Sequence, residues 1–215
     1  MTYGISLPDI LYLIIDATLS NLRPEEVALQ ALSAGVRLIQ YRDKRKPRRK
    51  IYSEAKKLRQ CTKEFGATFI VNDHADIAAA INADGVHLGQ EDLPLHEARK
   101  IMGKKLIGIS THSLREAIDA TVGGADYIGF GPIFFTSTKE RGQPQGVAMA
   151  REVKRHVAIP VVAIGGISSD NVLSVLDAGA DVVAVASAIL KGDIAKNIAL
   201  FREVLKRFRK LSSAQ

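Results

Sequence analysis

The chain has 215 residues, 47% of them apolar and 25% charged, the balance of a globular unit rather than of a disordered, collagenous or coiled-coil chain. That length suits one domain, 1–215, and no stretch approaches the roughly 20 consecutive apolar residues that cross a bilayer. Thirty basic against 23 acidic residues leave a net charge of +7, and the single cysteine, Cys61, excludes a disulfide framework and a cysteine-based zinc cage.

The opening MTYGISLPDILYLIID has no basic stretch ahead of its apolar run, so no signal peptide is expected, and one cysteine fits a reducing cytoplasm. That apolar run predicts a strand at Leu11–Ile15, followed by a helix over Pro24–Ser33 with its proline in the first turn. Strand two falls at Arg37–Gln40 and leads to a helix over Lys50–Phe65. Strands three and four, Thr68–Val71 and Gly85–Leu88, are separated by an apolar helix-like stretch. Leu106–Ile109 and Tyr127–Phe130 form strands five and six around a helix at Leu114–Val122. A helix at Ala148–His156 precedes strand seven, Val161–Ile164. The seventh helix, Ser169–Ala178, has Ser168 to Asp170 as candidate caps and leads to strand eight, Val182–Val185. The nearly continuous Val, Ile and Leu runs are those of parallel strands covered on both faces. The phrases SAGVRLIQ, NADGVHLG, GGADYIGFG and DAGADVVAV each join a helix end to a strand through glycine. Eight such units predict an α/β fold, a single-domain (β/α)8 TIM barrel.

In that fold, chemistry collects at the C-terminal strand ends, where eight loops converge on one mouth. The strand ends carry Asp16; Gln40 and Arg42; Asn72 and Asp73; Gly89 to Asp92; and Ser110, Thr111 and His112. They continue with Thr136, Ser137, Thr138 and Lys139, then Gly165 and Gly166, then Ala186 and Ser187. The glycines and hydroxyl of loops seven and eight suit a phosphate held by backbone N–H groups, although tight turns also use glycine. Asp73 and Asp92 end adjacent strands, about 4.8 Å apart in such a sheet, so their carboxylates can converge on one hard cation. Mg2+ suits a site sparse in protein oxygens and open to substrate phosphates. The alternatives are a helix cap for Asp73 and a surface turn for Asp92. His74 reads as the first residue of a helix and His87 as a packed barrel histidine. His112 reads as a mouth-loop acid or base whose partner the sequence does not reveal.

Arg42 to Lys50 (RDKRKPRRK) holds seven basic residues and one acid. Such a segment serves a nucleic acid, a small polyanion or only solvent. The absence of interleaved aromatics and of a recognised binding motif speaks against nucleic acid. Arg42, Lys44 and Lys139 would face the mouth, where guanidinium and ammonium groups grip phosphate oxygens. The basic residues of the last helix read as a solvated face.

Taken in order, several motifs closely resemble thiamine-phosphate synthase, also called thiamine-phosphate pyrophosphorylase, over nearly the whole chain. They are Gln40-Tyr41-Arg42-Asp43-Lys44, Asn72-Asp73, Gly85 to Asp92 (GVHLGQED), Ser110-Thr111-His112, Gly131-Pro132-Ile133-Phe134 with Thr136 to Lys139, and Ala163 to Ile167 (AIGGI). The resemblance implies a transferase that couples 4-amino-5-hydroxymethyl-2-methylpyrimidine pyrophosphate with 4-methyl-5-(2-phosphoethyl)thiazole, or its carboxylate form. The products would be thiamine phosphate and pyrophosphate, reached through dissociative loss of pyrophosphate. It also implies one Mg2+ per active site, bound by Asp73 and Asp92. Gln40, Tyr41, Arg42, Asp43, Lys44, Asn72, Ser110 and Lys139 would hold the pyrimidine pyrophosphate. Among these, Arg42, Lys44 and Lys139 would stabilise the leaving group and Ser110 would orient the ring. Thr136, Ser137, Thr138, Gly166, Ala186 and Ser187 would hold the thiazole phosphate. The implied partners are these small molecules, with no nucleic acid and no membrane, and the oligomeric state is left open. His74 stands where the family often has Arg, and Phe135 where it often has Pro. The nearest alternative is a thiazole tautomerase of the same barrel superfamily, which would rest on His112 and need no metal pair.

Overall fold

The structure, a computed structural model, describes residues 7–136 and 143–212. Among the described residues, β1 (Leu11–Asp16), β2 (Leu38–Arg42), β3 (Thr68–Asn72), β4 (Gly85–Leu88), β5 (Leu106–Thr111), β6 (Tyr127–Phe130), β7 (Val161–Ile164) and β8 (Val182–Val185) form one sheet. Each strand pairs in parallel with the next and β8 pairs with β1, which closes an eight-stranded (β/α)8 barrel. Around it lie α1 (Pro24–Ser33), α2 (Arg48–Glu64), α3 (Ala75–Ala80), α4 (Leu95–Met102), α5 (Leu114–Val122), α6 (Gly146–His156), α7 (Val172–Asp177), α8 (Ser187–Leu190) and α9 (Ile194–Ser212). No helix among the described residues is long and apolar enough to cross a membrane.

Successive strand residues point to opposite faces, and this alternation divides the core in two. On β1, Leu11, Leu13 and Ile15 pack with helix residues such as Val27, Leu32 and Leu58. Tyr12 and Ile14 instead pack inside the barrel with Leu38, Ile70, Tyr127, Val162, Val182 and Ala184. The end of the barrel that precedes the strands is locked by Asp9, which is buried. Its carboxylate accepts from Arg202 of α9 at 2.8 and 2.6 Å and from the N–H groups of Arg37 (2.9 Å) and Leu11 (3.2 Å).

The predicted strands recur, with β1, β2, β3 and β5 running on into the polar residues expected just beyond them. The seventh helix is the main correction: it starts at Val172, after Asn171, and no side chain caps it. Asn171 Oδ1 accepts from the N–H of Ser168 (2.9 Å) and Asn171 Nδ2 donates to Gly166 O (2.9 Å), which holds residues 168–171 as a turn. His74 precedes α3 rather than starting it.

Candidate active site

Register sorts the expected residues. Ile14 lies beside Gln40 and Asp16 beside Arg42, on the inward parity of β1 and β2. Asn72 lies beside His87, and Ser110 beside Gly129. The inward groups Asp16, Gln40, Arg42, Asn72, His87 and Ser110 line a cavity of about 130 Å3 at the C-terminal strand ends. That volume accommodates a small ring compound. His112, Thr136, Gly166, Ala186 and Ser187 line the same cavity.

The loops of β7 and β8 contribute backbone. Gly166 has φ +65°, and a Cβ there would sit 2.5 Å from the carbonyl oxygen of Phe135, so only glycine fits this approach. Among the described residues, the N–H groups of Gly166 and Ser187 meet no backbone acceptor, which suits them to bind an anion.

Lys44, Asp73 and Asp92 stand beside Asn72 rather than in the cavity wall. Asp73 takes φ +63°, a left-handed conformation uncommon outside glycine, and its N–H is tied to His87 O at 2.8 Å. Lys44 Nζ lies 3.1 Å from Asp73 Oδ2, and Asp92 Oδ2 accepts from the N–H of Gly89 at 2.6 Å. Burial, followed by the adjoining Asp92 carboxyl, pushes the Asp73 carboxyl above the ordinary carboxylate range, while Lys44 acts the other way. The carboxyls of Asp73 and Asp92 are thus within hydrogen-bonding reach of one another. Asp73 does not cap α3, which has no side-chain cap.

Two expected residues turn away. Tyr41 shares the outward parity of Ile39, is buried against α2, and donates its hydroxyl to Glu54. Burial and that carboxylate push its phenol up. Asp43 folds back into its own loop, accepting from the N–H groups of Arg45 (2.9 Å) and Lys46 (3.0 Å). Lys46 bridges Asp43 and Glu54 at 3.1 and 2.8 Å, so Tyr41 and Asp43 brace the basic loop instead of lining the cavity. Arg42 keeps its place but is ion-paired with Asp16, which also accepts from Thr18 N–H (3.0 Å) and Oγ1–H (2.7 Å). Ser137, Thr138 and Lys139 lie outside the described residues.

Four side chains were not anticipated in these roles. His87 lines the cavity: its Nε2 is 2.9 Å from Ser110 Oγ and its Nδ1 3.1 Å from Tyr127 OH. Tyr12 joins Tyr127 (OH to OH, 3.1 Å) and accepts from Gln40 Nε2 (2.9 Å). Inward parity along β1, β4 and β6 was the sequence signal for these three. Glu116, four residues after His112, accepts that residue's N–H at 2.7 Å and lies 3.2 Å from its Nδ1.

A family model described as thiamine monophosphate synthase matches residues 11–189. The chain belongs to the thiamine monophosphate synthase family. It is 45% identical over 185 residues to the thiamine-phosphate synthase of Chloroflexus aurantiacus, covering 85% of this chain and 86% of the relative. It is 45% identical over 203 residues to the thiamine-phosphate synthase of Moorella thermoacetica, with 93% and 97% covered. The solved thiamine phosphate pyrophosphorylase from Pyrococcus furiosus superposes with a TM-score of 0.85 at 40% identity, covering 92% of this chain and 96% of that one. Membership of the thiamine monophosphate synthase family makes the chain a transferase.

Proposed function

We propose that this enzyme joins 4-amino-5-hydroxymethyl-2-methylpyrimidine pyrophosphate to 4-methyl-5-(2-phosphoethyl)thiazole, or its carboxylate form, releasing pyrophosphate. The observation that carries this reading is the juxtaposition of the Lys44–Asp73–Asp92 corner with a cavity that ends in the Gly166 and Ser187 amides. One side suits a pyrophosphate with its counter-ion and the other a single phosphate.

The donor set fits Mg2+. Among the described residues no group of three or more His, Cys, Asp or Glu is placed to hold a metal, so a resident all-protein cage is not built there. The paired carboxyls of Asp73 and Asp92 instead match a hard cation that keeps most of its sites for phosphate oxygens and water. A bound Mg2+, one per site, would neutralise charge on the departing pyrophosphate.

The chain's own residues do the rest. Arg42 retains guanidinium donors beyond the one directed at Asp16, and with Lys44 it offers fixed positive charge to the leaving oxygens. Lys139 takes the same role on the resemblance alone. Gln40, Asn72 and Ser110 hold the pyrimidine ring, and His87 orients Ser110. Thr136, Ala186 and Ser187 adjoin the thiazole phosphate, with Ser137 and Thr138 proposed beside it from the resemblance. With pyrophosphate lost first, the thiazole nitrogen captures the pyrimidine methylene cation, so no side-chain nucleophile is needed. A reducing cytoplasm is the proposed compartment, resting on the free Cys61.

Incubation with both precursors, with and without Mg2+, tests the reading. Thiamine phosphate and pyrophosphate should form in equal amounts only when both precursors and Mg2+ are present. No product under conditions in which a family synthase turns over overturns it.

A further inference from the structure

We propose that the buried row Gln40–Tyr12–Tyr127–His87–Ser110 is a directional hydrogen-bond relay that makes Ser110 a donor and Gln40 an acceptor towards the ring bound between them. Tyr12, Tyr127 and His87 are then positioning residues that set which ring edge the cavity accepts. The identity of the ring rests on the proposed function; the relay itself is a property of the ligand-free protein.

With the Gln40 amide nitrogen turned to Tyr12, counting protons sets the direction. Tyr12 OH has two partners, Gln40 Nε2 at 2.9 Å and Tyr127 OH at 3.1 Å. An amide nitrogen only donates, so the single Tyr12 proton goes to Tyr127. Tyr127 has accepted that proton, and its own goes to its remaining partner, His87 Nδ1, at 3.1 Å. An imidazole that accepts at Nδ1 carries its hydrogen on Nε2, which lies 2.9 Å from Ser110 Oγ. Ser110 therefore accepts from His87 and keeps its hydroxyl hydrogen for the cavity. An imidazolium would strand the Tyr127 proton in a buried site, where an unmet donor is costly. Burial also holds both phenols well above the ordinary tyrosine range, so neither ionises and breaks the row.

At the far end Gln40 turns its nitrogen to Tyr12, which leaves Oε1 for a ligand. No buried side-chain nitrogen or oxygen among the described residues lacks a partner, so this oxygen opens on the cavity that Gln40 lines. The backbone leaves room for the rings. A Cβ on Gly108 would lie 2.1 Å from the Tyr127 ring, and one on Gly129 would lie 3.0 Å from His87 Cε1. The two rings stack at 5.5 Å between centroids.

Each member carries one transferable hydrogen, so rotating the Gln40 amide would reverse every bond and turn Ser110 into an acceptor. The two ends are opposite in kind in either direction. A ring with an N–H donor on one edge and a nitrogen lone pair on another, as in an aminopyrimidine, satisfies both ends. A ring that offers only acceptors leaves one end unmet.

The test begins without ligand. Long-range proton–nitrogen NMR spectra of the isotope-labelled protein should show His87 as the Nε2–H tautomer. Tyr127→Phe removes the donor to Nδ1 and should give a mixture of tautomers. Tyr12→Phe should do the same more weakly, and it serves should Tyr127→Phe fold poorly. A predominant Nδ1–H form in the parent, or a tautomer ratio indifferent to both substitutions, overturns the relay. The ligand arm compares the pyrimidine pyrophosphate with its deamino analogue. The parent should prefer the amino compound by on the order of tenfold, and Tyr127→Phe should lose most of that preference while affinity for the thiazole phosphate stays unchanged. Equal loss for both substrates marks a general structural effect and overturns the positioning role. A parent protein with the Nε2–H tautomer that does not bind the pyrimidine pyrophosphate overturns the proposed substrate instead.

Discussion

Asp73 and Asp92 carry opposite demands. Burial, and after it the neighbouring Asp92 carboxyl, raises the Asp73 pKa, so the folded protein holds this proton more tightly than the unfolded chain. By linkage, the stability associated with that proton is present below the unfolded-state pKa and is lost as pH rises through the raised, folded-state value. A divalent cation competes with the same proton, so its affinity should rise with pH. We expect Mg2+ to raise the thermal midpoint more at about pH 8 than at about pH 5, measured by scanning fluorimetry. Asp92→Ala should abolish the response or greatly increase the Mg2+ needed for turnover, with the fold intact because the residue lies in a loop. It should also flatten the pH dependence of stability, since one of the two effects raising the Asp73 pKa is removed. Ser187→Ala should raise the KM for the thiazole phosphate by about 5- to 30-fold, the loss of one hydrogen bond to a charged group, with the pyrimidine KM unchanged.

Within the strands, two-residue periodicity separates what the QYRDK motif runs together. Gln40 and Arg42 face the cavity while Tyr41, between them, faces α2. A motif read as a string assigns all of them to the substrate; parity counted against the core residues Ile39 and Leu38 separates them. Polar residues at strand ends were legible because the strands themselves are strongly apolar. Tyr12, His87 and Tyr127 were not, because they sit within strands, where aromatic residues are ordinary core, and only three-dimensional neighbours give them partners. The Asp43 side chain serves its own loop, a placement that a strand-end argument cannot separate from a cavity contact. Gly108 is the clearest test of this strand geometry. An added methyl would collide with the Tyr127 ring, so Gly108→Ala should cost about 1–3 kcal/mol in denaturant unfolding and raise the pyrimidine KM.

The closed barrel was legible from eight strand–helix units joined by glycine, since each unit repeats a pattern that local physics enforces. What locks the barrel was less so, because the Asp9–Arg202 pair joins residues 193 positions apart. Asp9→Ala would leave Arg202 without its carboxylate and free the N–H of Arg37, and should lower unfolding free energy by about 2–4 kcal/mol. Both KM values should match the parent, because the cavity opens at the other end of the strands. The stability that the Asp9–Arg202 lock supplies is thereby anchored away from turnover. Selection can harden the floor of this barrel for a hotter habitat, or soften it for a colder one, without retuning the chemistry at its rim.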